Sequence, residues 1–467
     1  MKKIVLFLAV LAVSSFALPI VLEENIHRNA NRDSIFTLNF ESNSAFWQAN
    51  NFFVRTKIGG RFHDDDYNSR FILYAGDSIA NNYLHLIFSG YYYSHAIHGQ
   101  TKDWARPNNR EEDRHTPSAS ADLFRALLRF TPNEHILIAL GKDYYNWGPA
   151  ELGGLLLSDY NMGFTGLYQQ YQLGPFTIRG LATQLNSTNW VYGDSEMPIH
   201  RFFSASRIEY YRERWGMALG QSMVYGGVNR SFEIPYLIPV FPFHYAQIAN
   251  WRYGNEFSSS KGSVDAYVNF LDKRLQIYGE FMADDLQMGE TEESRGIQNS
   301  VGFIAGTRFD FPRIVHGFFE AGQINSFVYS RRRENVMTYL YKDAPIGSPL
   351  GPDNQIYWGK LGHRLSNIPL NIEAYFWLFR QGERGDINLD YGIEDMFGSR
   401  YQNIPYGKVN RETATWLSAT YELKHQTFEL HGGVSITEIE GVSGTRKVNP
   451  FIGFSLNAAI GIGWNAR

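Results

Sequence analysis

The chain predicts an all-β fold: a transmembrane outer-membrane β-barrel of about 18 antiparallel strands, with its lumen plugged by inserted loops. Three observations predict it. An N-terminal export segment is followed by no other apolar run long enough to span a bilayer as a helix. Aromatic residues make up 16% of the chain, yet mean hydropathy is only −0.32. Many segments alternate apolar and polar residues, as a wall does when every second side chain meets lipid.

The N-terminus carries Lys2 and Lys3, then the apolar run Ile4 to Val13, then Ser15 and Ala17 as small residues before a cleavage point. Residues 1–17 therefore read as a signal peptide. Cleavage would remove two lysines and take the formal charge from −4 to −6. So mild a balance points to no nucleic-acid partner. Cysteine is absent, so no disulfide framework is expected. Residues 18–45 are expected to be a short periplasmic segment, and 46–467 the barrel.

The alternation is clearest near the C-terminus. In "TFELHGGVSIT", Phe428, Leu430, Val434 and Ile436 share one face, and Thr427, Glu429, His431, Ser435 and Thr437 the other. Leu417, Ala419, Tyr421 and Leu423 continue the pattern across a tight hairpin at 424–426. "FRALLRF" sets Leu128 and Phe130 against Arg125 and Arg129. "LQIYGEFMAD" sets Ile277 and Phe281 against Gln276, Tyr278, Glu280 and Asp284. Several of these runs are long enough to cross a bilayer at a tilt.

The connections sort by length. Short ones fall near 131–134, 173–175, 212–214, 271–273, 311–313, 365–368 and 424–426. Long ones fall near 99–118, 146–163, 187–200, 226–260, 286–297, 331–356 and 381–411. Short turns would face the periplasm and long loops the outside, with "HDDDYN" (63–68) as a further outside loop. An even count, with both termini in the periplasm, gives eighteen strands from near Phe46; "SIFTLNFE" (34–41) would lie below the barrel.

Two stretches break the pattern. "GKDYYNWGPAELGGLLLSDYNMGF" (141–164) contains Asp143, Tyr144, Trp147-Gly148-Pro149 and the pair Gly153-Gly154. "FEIPYLIPVFPFHYAQ" (232–247) contains Pro235, Pro239 and Pro242 among apolar residues. Proline at this density does not thread a central strand, and an apolar loop should not lie loose in water. Both are expected to be internal plugs, near 146–162 and 228–249.

Little here argues for catalysis. "SSSK" (258–261) has the spacing of a Ser-x-x-Lys nucleophile but stands without partner motifs, and the histidines show no ligand spacing. The carboxylates of "HDDDYN" lack the spacing of a cation loop. No metal or cofactor is expected, and no enzymatic activity. The charged pairs His200-Arg201 and Asp284-Asp285, at the ends of strand-like runs, read as rim or lumen ion pairs.

Four pieces carry a resemblance to the Wzi family of capsule assembly proteins. They are "SNSAFWQANNFFVRTKIGG", "GKDYYNWGPAELGGLLLSDYNMGF", "HRFFSASRIEYYRERWGMALGQSMVYGG" running into "YLIPVFPFHYAQ", and "LQIYGEFMADD", in that order over 42–285. The resemblance implies an eighteen-stranded plugged barrel in the outer membrane, whose outside loops act as a lectin for capsular polysaccharide. This chain departs at Gln221, where the family pattern implies a glutamate, and residues 18–45 leave no room for the helical periplasmic bundle of enterobacterial members. On this reading the plug motif comprises Asp143, Tyr144, Trp147, Gly148, Pro149, His200, Arg201, Asp284 and Asp285. Candidate sugar contacts are Trp104, Arg106, Trp190, Tyr192 and Tyr401. The expected partners are a surface polysaccharide, outer-membrane lipids and the barrel assembly machinery, with the protein a monomer. The alternative is a porin or a substrate-specific channel.

Overall fold

The computed structural model describes residues 48–63, 66–80, 84–98, 118–159, 163–192, 195–228, 230–252, 257–285, 299–330, 335–342, 344–387, 403–423 and 426–464. Expectations for 1–47, including the signal peptide and the 34–41 run, lie outside these residues.

The wall begins with β1 (Gln48–His63), β2 (Asp66–Ala80), β3 (Leu84–His98), β4 (Ser118–Asn133), β5 (Ile136–Asp143), β6 (Phe164–Leu173) and β7 (Phe176–Gln184). A short β8 (Thr188–Tyr192) pairs only with the start of β9 (Ser195–Tyr211), whose remainder pairs with β7. Next come β10 (Trp215–Gly227), the helices α1 (Ile234–Leu237) and α2 (Phe243–Arg252), β11 (Ser258–Phe270), β12 (Leu275–Asp285), β13 (Ser300–Phe311) and β14 (Val315–Ile324). A two-stranded ribbon, β15 (Leu340–Tyr341) and β16 (Ala344–Pro345), stands apart from the wall. The wall resumes with β17 (Asn354–Arg364), β18 (Leu370–Gln381), β19 (Asn410–Leu423), β20 (Gln426–Ile439) and β21 (Lys447–Trp464).

Each wall strand pairs antiparallel with the next, and β21 returns to β1 through Asn50 opposite Trp464 and Phe52 opposite Ile462. The described residues thus form a closed ring of eighteen strands, with β8 as a spur. Closure leaves no free edge, the condition for crossing lipid with strands.

The period-two pattern sorts the faces. Leu219, Leu417 and Leu430 are exposed at 57%, 62% and 46%, while the neighbouring Ala218 and Trp416 are buried. Outward Phe176, Tyr210 and Trp215 form an aromatic patch at the turn end of β7, β9 and β10, with ring centroids 5.4 and 5.0 Å apart. Aromatics at that height suit a membrane–water boundary.

The connections sort by end as expected. Short turns at 134–135, 174–175, 212–214, 271–274, 312–314 and 365–369 gather at one end, and long connections at the other. Gly174, with φ +58°, starts the two-residue turn between β6 and β7. β1 and β2 pair as far as His63 opposite Asp66, which sets "HDDDYN" at a hairpin tip on the long-connection end.

Two expectations are corrected. The 228–249 segment is not a plug. It lies on the outside of the wall, because its contacts fall on Gln221, Met223 and Tyr225, which share the outward face of β10 with Leu219. Proline did exclude it from the strands, but burial was available outside as well as inside. Conversely, the long connection near 331–356 does not stand wholly outside. The described residues of 325–353 turn into the lumen, burying Phe327, Tyr329, Tyr339 and Ile346.

Candidate functional site

Among the described residues, two segments enter the lumen, and the first begins where β5 ends. Arg125 Nε meets Asp143 Oδ1 at 2.7 Å, and the same oxygen accepts the Tyr144 N–H at 2.8 Å. The chain then leaves the wall. The Trp147 N–H donates to the Leu157 carbonyl at 2.9 Å, and the Gly154 N–H donates to Asn146 Oδ1 at 2.8 Å. These bonds close 146–157 into a flap that buries Trp147, Leu152, Leu155, Leu156 and Leu157.

Two wall carboxylates hold the flap from within. Glu280 on β12 accepts the N–H of Ala150 at 2.8 Å and that of Leu155 at 2.9 Å. Glu320 on β14 accepts the Glu151 N–H at 2.6 Å, the Tyr278 hydroxyl at 2.7 Å and the Trp358 indole N–H at 2.7 Å. Arg308 donates to the Glu151 carboxylate at 2.6 Å and to the Pro149 carbonyl at 3.1 Å. Gly148 adopts φ +125°, and a Cβ there would lie 2.0 Å from Glu280 Oε1. Glycine is needed both for the dihedral and for the approach of the carboxylate.

The second segment, 325–353, packs against the first. The Tyr329 and Tyr339 hydroxyls donate to the Leu155 and Leu156 carbonyls at 2.7 and 2.6 Å, and the Ser158 N–H donates to the Ile346 carbonyl at 2.9 Å. Burial pushes both phenols well above their ordinary range, so they stay protonated as donors. Arg201, on β9, holds this segment from the wall. It donates to the carbonyls of Val336 at 2.8 Å, Leu340 at 3.3 Å and Thr338. Asp284 accepts the Tyr329 N–H at 3.2 Å and pairs with Lys261 at 2.7 Å.

Asp143, Trp147, Gly148, Pro149, Arg201 and Asp284 thus meet in or beside one luminal assembly. His200 is exposed and its backbone pairs with Gly227. Tyr144 begins the flap; Asp285 is placed by its backbone, opposite Ser300. Of the "SSSK" residues, Lys261 belongs to the Asp284 ion pair, a structural use.

The sugar-contact candidates are less assembled. Trp104, Arg106 and Tyr401 lie outside the described residues. Trp190 and Tyr192 are placed by backbone in β8, opposite Met197 and Ser195, on the spur at the long-connection end. Sequence reasoning passed over Tyr406, five residues after Tyr401 in "SRYQNIPYG". It is 44% exposed, and the Arg384 guanidinium lies 3.8 Å from its ring centre. Asp353 fixes both residues, accepting the Arg384 and Tyr406 N–H groups at 2.9 Å each. Burial raises the Asp353 carboxyl, and these two bonds pull it partly back. An aromatic beside a glycine in a proline turn was the available signal. Among the described residues, no group of His, Asp and Glu has the arrangement of a metal centre.

No family model matches the chain, and no curated protein does. Solved structures do. One is Wzi of Escherichia coli, described as an outer-membrane protein involved in group 1 capsule assembly and a carbohydrate-binding β-barrel. It matches with TM-score 0.53 and 13% identity, over 88% of this chain and 84% of that one. Another is OccD3 of Pseudomonas aeruginosa, with TM-score 0.47 and 9% identity, over 89% and 91%. The fold is that of an outer-membrane β-barrel. At this identity the likeness reaches no further than the fold.

Proposed function

We propose that this barrel binds or organises polysaccharide at the cell surface, as a lectin and without catalysis. The observation that supports the reading is the burial of two segments inside the barrel. Eighteen strands enclose space enough for a channel unless something fills it, and here two segments fill it with buried Trp147, Leu155, Tyr329 and Tyr339. A plug tied to the wall by Glu280, Glu320 and Arg201 suits a rigid platform better than a pore.

The long connections at the plugged end are the natural place for a glycan. An exposed ring such as Tyr406, braced from one side by Arg384, offers a flat face for a sugar. Trp104, Arg106, Trp190, Tyr192 and Tyr401 remain candidate contacts. The likeness to a carbohydrate-binding barrel agrees with this reading at the level of fold.

The test pairs two measurements on the purified barrel. In planar bilayers it should carry little steady current. In a pull-down it should retain an acidic or neutral polysaccharide extracted from its source, and Tyr406→Ala and Trp190→Ala should weaken retention. Aromatic stacking on sugar is worth on the order of 1 kcal/mol per ring, by analogy with aromatic pairs. A large steady conductance with no glycan retained would replace this reading with a substrate channel.

A further inference from the structure

The outward faces of β9, β10 and β11 carry polar side chains among their apolar ones. By register, Ser204, Ser206, Gln221 and Ser260 stand on the same side as Ile208 and Leu219, which are exposed and apolar. Polar side chains at that parity are costly against acyl chains.

The 230–252 insert covers them. Gln221 Nε2 donates to the Phe241 carbonyl at 2.7 Å and to Ser206 Oγ at 3.0 Å, and Gln221 Oε1 accepts the Phe243 N–H at 2.9 Å. Gln169, on β6, donates to the Leu237 carbonyl at 3.0 Å. Ser260 donates to Gln247 Oε1 at 2.8 Å, and Gln247 donates to the Ser258 carbonyl at 2.9 Å. Phe202, Met223 and Tyr225 pack under Tyr236 and Phe243. Pro239 rests on Gly180, where a Cβ would lie 2.9 Å from the proline ring. A glutamate at 221 could not donate to the Phe241 carbonyl. The glutamine satisfies a donor and an acceptor of the same loop.

The far side of the insert has the opposite character. Phe232, Ile234, Ile238, Val240 and Tyr245 are exposed, Ile234 at 72% and Tyr245 at 68%. Gln221 and Gln247 lie between insert and wall, and the exposed face is mostly apolar, with Ser231 and His244 as exposed polar residues among those described. Depth follows from the strand. Gln221 stands six residues along β10 from Trp215, in the aromatic patch. At the usual rise and tilt that is roughly 15 Å from the turn-end boundary, within an apolar band about 25 Å tall. Irregular backbone survives at that depth only when protein takes its polar groups, and Gln221 and Gln169 take them here.

We propose that residues 230–252 form a lipid-inserted flank, with Ile234, Ile238, Val240 and Tyr245 among acyl chains of the leaflet on the long-connection side. Lipid is the occupant because the insert packs on the same outward face of β9 and β10 that bares Met217, Leu219 and Ile208.

The chain lacks cysteine, so single cysteines can be introduced and spin-labelled. The full chain carrying Ile234→Cys, Ile238→Cys, Val240→Cys or Tyr245→Cys is reconstituted into phosphatidylcholine vesicles. Relaxation by oxygen and by a water-soluble nickel chelate is compared with Leu219→Cys, on the bare wall, and Val442→Cys, in the 440–446 connection. Exposed positions tolerate the change, and four sites keep the test alive if one variant fails to fold. The expected result is oxygen relaxation several-fold above nickel relaxation, matching Leu219→Cys. Nickel relaxation equal to that at Val442→Cys would place the face in water and overturn the proposal. Shielding from both reagents, with dipolar broadening between labels, would overturn it in favour of a second copy of the chain.

Discussion

The Glu280 carboxylate, in the wall, accepts the backbone N–H of Leu155, in the plug, at 2.9 Å, and its other oxygen accepts that of Ala150 at 2.8 Å. One side chain therefore holds two turns of the flap. Hydrogen bonds of this kind contribute about 0.5–1.5 kcal/mol each. Glu280→Ala should strip both and speed amide exchange across 147–157, with the Ala150 and Leu155 amides affected most. Glu280→Gln keeps an acceptor oxygen and should fall between. Unchanged protection in Glu280→Ala would show that the flap stands without this anchor.

Gly148 faces that carboxylate, and Gly148→Ala tests the same junction from the other partner. The new methyl meets Glu280 and the dihedral is unfavourable. A loss of about 1–3 kcal/mol is expected, read as a lower midpoint in urea-driven unfolding from vesicles. A neutral effect would mean that the flap shifts freely.

The lumen has two fillings, so opening it should take two deletions. Replacing residues 146–158 by a short Gly-Ser linker should give small, unsteady currents, because Tyr329, Tyr339 and Ile346 remain. Replacing 327–350 as well should give a large steady conductance. Full conductance from the first replacement alone would make 325–353 a loose filling.

Arg201 is the wall's grip on the second filling. Arg201→Ala leaves the carbonyls of Val336, Thr338 and Leu340 without their donor. Faster exchange at 335–341 is expected, with little change at 147–157. Arg201→Lys should rescue only in part, since an ammonium cannot reproduce the fan of a guanidinium.

The faces of β20 give a register test. Leu430 is exposed on the outside, while His431 points inward near Glu429. Arginine near the midplane of the lipid face costs roughly 2–4 kcal/mol, so Leu430→Arg should impair folding into bilayers more than His431→Arg. The reverse order would displace the strand by one residue.

The wall was legible in the chain before any fold was known. Leu128, Ile277, Leu417 and Leu430 declare the lipid side by a period of two, and the lengths of the turns declare the two ends. The break in the wall between β5 and β6 was legible as well, because Trp147-Gly148-Pro149 and Gly153-Gly154 cannot continue a strand. Residues 325–353 were not legible. Their buried tyrosines come without period, and nothing local distinguishes a loop over the rim from one folded under it.

Alternation alone determines which way a wall residue points, since each step along a strand reverses the side chain. It does not determine what the residue meets there. Gln221 and Leu219 point the same way, one into the 230–252 insert and the other into open surface. Gly148 likewise reads as a turn, yet its need for glycine comes from Glu280, 132 positions later in the chain. These neighbours are distant in sequence and are brought together only when the ring closes. The pattern of the wall is local, and the partners of its faces are not.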